Sequence, residues 1–377
     1  MTRTRVLLSA RDPGGAAMIQ ALLPALRADS RAEVILAASG AGFDALTAAG
    51  EAPRRFVLPD GASHVPDGSN QEPLLRATRE LLSHLQPDLV VVGISSLGVG
   101  LDEALLACAG SRPTFALQDY PGDANAIDGK FAGLYFVRDE HAARLTRSRH
   151  GVAALAVGSI RHAAYAALDV QAMRSQARGR LGADDRAVVG FFGQPAEIPG
   201  QEQGFRDLVS ALAGRSPRPL VVLREHPKSP DLRVAHLAAL DAAGLKVHDT
   251  TGHQPIEPWL AACDVLATGF SHCAMDYAFL DAASPEPLGA TLFLLTTPEA
   301  RAFLRASSGE PVPDGVAQGL GVVAETAADV PRALDDLLTP EARRRYHEAS
   351  RRLPRGADIA RLVETLLGPT PVPSAVR

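Results

Sequence analysis

Short apolar runs rich in Val, Leu and Ile alternate with helical patterns almost from one end of the chain to the other. Parallel strands joined by crossover helices are covered on both faces, so they read as continuous apolar runs rather than as in–out alternation. Six runs in the first half predict strands at 5–9, 33–38, 88–94, 114–118, 134–137 and 154–157. Six more follow at 187–192, 219–224, 245–248, 264–267, 291–295 and 321–324. The pattern specifies an α/β fold: two doubly wound, Rossmann-like domains facing a cleft, with ligands at the carboxyl ends of the strands. At 377 residues the chain is long enough to give each domain its own core.

The intervening segments pack on one side only. In 71–85, Leu74, Leu75, Leu81, Leu82 and Leu85 recur at helical spacing while Arg76, Arg79 and Glu80 point elsewhere. The boundary falls near Gly158-Ser159, giving a first domain over 1–157 and a second over 158–356, with a helix predicted at 161–180. A last helix occupies 357–367. The ending from Gly368, with prolines at 369, 371 and 373, cannot continue it, and 368–377 is expected to be disordered.

Charge and composition exclude several classes. A formal net charge of −5, with no basic run beyond clusters such as Arg343-Arg344-Arg345, argues against a nucleic-acid partner. Three cysteines without a C-x-x-C pair fit a reducing compartment, so a cytoplasmic location is expected. No uncharged run approaches the roughly 20 residues that span a bilayer. A soluble chain follows, which leaves room for peripheral contact with a membrane-bound substrate and leaves the oligomeric state open.

Chemistry concentrates at strand ends. One strand runs out into Arg224-Glu-His226-Pro-Lys228-Ser229, and another into Thr268-Gly269-Phe-Ser271-His272 ahead of a helix. A strand that passes through Gly, Ser or Thr into a helix exposes backbone N–H groups at the positive end of the helix dipole, where an anion is favoured. Arg224, His226 and Lys228 add donors beside the first junction. Two such junctions in one half of the chain point to a diphosphate ligand. Gln194, just past the strand at 187–192, belongs to the same set of candidates.

The first half offers acids at its own strand ends. In Ser9-Ala-Arg11-Asp12-Pro13-Gly14-Gly15, Asp12 can cap the following helix, and Gly14 and Gly15 permit close approach of a ligand. The loop Gln118-Asp119-Tyr120-Pro121-Gly122-Asp123 closes a later strand. Asp12, Asp119 and Asp123 are alternative general bases, since a sheltered carboxylate is raised toward neutrality. Gly98-Val-Gly100-Leu-Asp-Glu103 lacks the third glycine of a dinucleotide turn and is read as structural. Gly269-Phe-Ser271-His-Cys273 departs from a nucleophile elbow, and the His/Cys/Asp pattern shows no metal-ligand spacing, so neither a hydrolase triad nor a metal site is predicted.

Three segments carry a resemblance. Gly158-Ser159-Ile-Arg161-His162 resembles the G-S-P-R-x-D entry to the second domain of GT-B glycosyltransferases. The similarity is to the capsule-polysaccharide, CDP-glycerol glycerophosphotransferase and UDP-GlcNAc 2-epimerase types. Arg224 to Ser229 resembles their R-x-H-P-x-S phosphate motif, and Trp259 to Ser271 their A-D-x-x-I-T-G-x-S segment.

The resemblance implies a nucleotide-sugar co-substrate and no other cofactor, with His226 and Ser271 on the donor diphosphate and Asp276 on the ribose. Ser159, Arg161, Ser229, Thr268, Gly269 and His272 join the implied binding set. The epimerase loop H-x-E-A-G-x-R is replaced here by Leu117-Gln118-Asp119-Tyr120-Pro121-Gly122, which favours a metal-independent transferase acting on an unidentified acceptor. A nucleotide-sugar 2-epimerase or hydrolase, or a non-catalytic sugar-nucleotide binder, is the alternative.

Overall fold

A computed structural model describes residues 3–59, 71–94, 98–183, 185–226, 229–354 and 356–368. The expected phosphate residue Lys228 and the tail at 369–377 lie outside the described residues. The chain divides into two compact units, Met1–Ala164 with Pro354–Arg377, and Tyr165–Leu353.

The first unit is built on a seven-stranded parallel sheet: β1 (Thr4–Ala10), β2 (Ala32–Ala38), β3 (Arg54–Arg55), β4 (Leu89–Ile94), β5 (Thr114–Gln118), β6 (Leu134–Val137) and β7 (Ala154–Ala156), in the order β3-β2-β1-β4-β5-β6-β7. Leu7 and Val90, Val91 and Val92 have no solvent exposure. Consecutive residues of β4 therefore face opposite helix layers, and each such side chain contributes about 1.5–3 kcal/mol by burial. The two-residue β3 has no apolar signal, because both of its arginines are exposed, and sequence periodicity does not detect it.

The second unit carries β8 (Val188–Phe192), β9 (Leu220–Arg224), β10 (Val247–Asp249), β11 (Val265–Thr268), β12 (Ala290–Leu294) and β13 (Gly321–Ala324), all parallel, in the order β10-β9-β8-β11-β12-β13. In both sheets the first strand of the unit sits centrally and the winding reverses beside it, between β1 and β4 and between β8 and β11. Crossovers leave these strands in opposite directions, which opens a crevice at their carboxyl ends, where doubly wound proteins place ligands.

One local expectation changes. The helix expected at 161–180 is broken: a 3-10 turn over Ala163–Ala167 precedes a helix over Val170–Leu181, because Asp169 accepts a hydrogen bond from Ala172 N at 3.0 Å and starts the second helix afresh. The last helix, Ile359–Leu367, buries Leu362, Val363 and Leu366 among Met18, Ile19 and Leu22 of the helix Pro13–Ala28. Ala357 N also donates to Ser159 O at 3.0 Å. The helix Ile359–Leu367 therefore completes the core of the first unit.

Candidate functional site

In the first unit, the carboxyl end of β1 meets the start of the helix Leu101–Cys108. Arg11 is the centre of this meeting. Its guanidinium lies 3.1 Å from Asp12 Oδ2 and 3.2 Å from Glu103 Oε2, and Nη2 donates to Gly98 O at 3.0 Å. Its backbone N–H donates to Asp102 Oδ2 at 2.9 Å, and Ser9 Oγ donates to Asp102 Oδ1 at 2.5 Å. Glu103 accepts further from Gly100 N and from Asn125 Nδ2. Asp102 and Glu103 have no solvent exposure. Burial and the adjoining Glu103 carboxylate push Asp102 above the usual carboxylate range.

The expected roles around this turn shift accordingly. Asp12 occupies the N-cap position of the helix Pro13–Ala28, but its side chain does not cap that helix and pairs with Arg11 instead. Gly14 lies in the first turn. Gly15 serves packing: a Cβ there would sit 2.6 Å from Gly93 O, so its smallness lets the helix rest against β4. Arg11, Asp102, Glu103 and Asn125 were not singled out from the sequence. The G-x-G-x-D-E run signalled them only as a failed dinucleotide turn.

The loop after β5 is tied from within. Gln118 Nε2 donates to Asp123 O and to Thr146 Oγ1, each at 2.8 Å, so this expected ligand contact holds the loop's own backbone. Asp119, with its side chain 8% exposed, lies 3.3 Å from Arg161 Nη1. Ser159 Oγ is 2.6 Å from His162 Nδ1. Asp123 is partly buried, and desolvation pushes its carboxyl up to about 7, opposed by Arg149 and assisted by Asp119.

A measurable consequence follows for pH. Between the unfolded value, about 3.9, and about 7, the native state keeps a proton on Asp123 that the unfolded chain has released. Stability contributed by this group falls as pH rises across that window, by at most about 1.4 kcal/mol per pH unit, and levels off above it. Asp123→Asn is expected to flatten the decline between pH 4.5 and 8 in urea midpoints. An unaltered pH profile would show that Asp123 ionises freely.

In the second unit the switch point between β8 and β11 is closed by Gln194, whose Oε1 accepts from Phe270 N at 2.9 Å. A Cβ on Gly269 would sit 2.2 Å from the same oxygen, which explains the glycine. Thr268 Oγ1 donates to Phe192 O at 2.7 Å and is fully buried. Ser229 Oγ accepts from Ala196 N at 2.7 Å. Arg224, lowered in pKa by burial, donates through Nη1 to Thr250 O and His253 O, each at 2.7 Å. These four residues shape the loops around the crevice.

His226, Ser271 and His272 are partly exposed at the same strand ends. Ser271 Oγ accepts from Cys273 N at 3.3 Å, at the start of the helix Cys273–Ala283. Asp276 lies on that helix with no solvent exposure. The amino end of the helix directs its dipole toward Ser271 and His272, the arrangement that favours an anion.

Neither a protein-family model nor a curated protein matches the chain. Solved structures do. The UDP-GlcNAc 2-epimerase from Neisseria meningitidis bound to UDP-GlcNAc superposes with a TM-score of 0.71 at 12% identity, covering 97% of this chain and 100% of that one. The S. aureus MnaA–UDP structure gives 0.69 at 14%, covering 96% of each chain. Acinetobacter baumannii MurG gives 0.58 at 12%, covering 96% and 98%. The two-sheet architecture is thus the GT-B fold over nearly the whole chain. Among the described residues, no helix is long and apolar enough to cross a membrane.

Proposed function

We propose that this protein is an enzyme acting on a nucleotide diphosphate sugar, with 2-epimerisation as its reaction. The observation that carries this reading is the set of sheltered carboxyl groups at the carboxyl ends of the first sheet, with Asp123 pushed up to about 7. Inverting a sugar at C2 requires one group to remove the carbon-bound proton and another to return a proton to the opposite face. The C2–H pair forms a C1–C2 double bond as the C1–O bond breaks, and the nucleotide diphosphate leaves with the C1–O pair. Re-addition of the diphosphate with protonation at C2 closes the cycle without net change in atoms.

The likeness to 2-epimerase structures supports this choice over simple transfer. The loop after β5 departs from the epimerase motif as a whole, but aligning Leu117 with its His brings Asp119, one methylene shorter, opposite its Glu, which supports Asp119 as a replacement acid. Arg161 Nη1 donates to Asp119 Oδ2 at 3.3 Å and orients that carboxyl group. Within the second unit, His226, Ser271 and the amino end of the helix Cys273–Ala283 together suit a diphosphate. A metal-independent transferase uses the same donor half, and the Tyr120-Pro121 departure from the epimerase loop favours that second reading.

Incubation with UDP-GlcNAc alone in deuterated buffer tests the choice. Deuterium at C2 and a new C2 epimer are expected, and both should be lost in Asp119→Asn and in the His226→Ala, Ser271→Ala double variant. Donor that stays unlabelled until an acceptor is added would establish transfer. No affinity for any nucleotide diphosphate would reject both.

A further inference from the structure

The amino-terminal edge of the second sheet carries a concentration of charge unrelated to the strand ends described above. Asp264, 2% exposed just before β11, receives three guanidinium groups. Arg174 Nη2 lies 2.6 Å from Oδ1, Arg343 Nη1 3.0 Å from Oδ1, and Arg178 Nη1 3.1 Å from Oδ2. Val188 N donates to Oδ2 as well, at 2.7 Å. Arg186 completes the group, and its backbone carbonyl accepts from Arg178 Nη2 at 2.7 Å. One carboxylate cannot neutralise this many cations.

These four arginines, with Asp185 and Asp264, line a cavity of about 850 Å³. Four positive charges against two negative ones leave an excess of two inside a concave, partly desolvated basin. Arg174 and Arg178 are fixed by carbonyls of residues 261–263, so much of the ordering entropy is already met by the fold. Arg343 Nε is shielded from solvent and has no hydrogen-bond partner. A buried donor without a partner is costly, so Arg343 is held at this edge against a desolvation penalty.

We infer that this basin is an anion-binding site for a phosphate chain, separate from the strand-end site. The excess charge matches a diphosphate, and guanidinium groups bind phosphate oxygens in a fixed, forked geometry. The basin opens at the start of β8, β9 and β11. Strands of this length place it roughly 15 Å from their carboxyl ends, so ligand here leaves His226 and Ser271 uncovered. The site does not depend on the nucleotide-sugar reading.

Calorimetric titration with pyrophosphate at 0.15 M salt tests it in three proteins: wild type, His226→Ala with Ser271→Ala, and Arg186→Gln with Arg343→Gln. The first double variant should keep one pyrophosphate site. The second should lose at least tenfold in affinity for that site while unfolding cooperatively, and Arg343→Gln alone stands in if the pair fails to fold. Repeating the titration with UDP and ADP shows whether the phosphate comes free or on a nucleoside, since tighter nucleotide binding places a nucleoside beside the arginines. Unchanged affinity in the arginine variants, or no pyrophosphate binding once His226 and Ser271 are removed, would overturn the site and leave the arginines as a lock on Asp264.

Discussion

Arg11→Ala is expected to cost about 3–5 kcal/mol of stability, because it removes the cation held between Asp12 and Glu103 and leaves buried acids without it. The loss also frees Gly98 O and loosens the turn between β1 and the helix Leu101–Cys108. Urea unfolding measures the effect. The deficit should narrow at acid pH, since Asp102, held above the ordinary carboxylate range, takes up a proton early as pH falls and relieves the uncompensated charge. Arg11→Lys should fall between the two, as an ammonium keeps the charge but not the fork that reaches Asp12, Glu103 and Gly98 together. An alanine variant as stable as the parent would show that solvent, not Arg11, compensates these acids.

Asp264→Ala is expected to be of similar size, about 3–5 kcal/mol, for the opposite reason: three guanidiniums and the Val188 amide lose their common acceptor. Asp264→Asn keeps an oxygen for Val188 N and should lose less. Pyrophosphate should raise the melting temperature of Asp264→Ala more than that of the parent, because an anion then replaces the missing carboxylate among the same arginines. Differential scanning fluorimetry with and without pyrophosphate measures both. Equal melting temperatures for parent and variant would mean that the arginine carbonyl contacts alone hold this edge.

Most elements were legible in the sequence, because parallel strands declare themselves by unbroken apolar runs. Thr114–Gln118, Leu134–Val137 and Gly321–Ala324 match their expected bounds, and the others shift by one or two residues at an end. The site was legible only in part. Partly exposed His226, Ser271 and His272 stand at strand ends where the turn chemistry placed them. Arg224, Gln118, Thr268 and Gln194 come from the same turns, yet their side chains hold neighbouring backbone. A polar residue beside a glycine-rich turn looks the same in sequence whether it faces a ligand or satisfies a buried carbonyl.

The sequence by itself determined two doubly wound parallel sheets and the strand ends at which chemistry can occur, because periodicity and turn residues act over a few positions. Only the tertiary structure decided which side chains meet there. Arg11 faces Glu103, 92 residues away, because β4 lies beside β1 and its crossover helix starts at the same edge. Arg174 and Arg178 of the helix Val170–Leu181 and Arg343 near the start of the helix Pro340–Ser350 converge on Asp264 because both helices pass one sheet edge. Long-range partners of this kind are fixed by strand order, which no local pattern encodes.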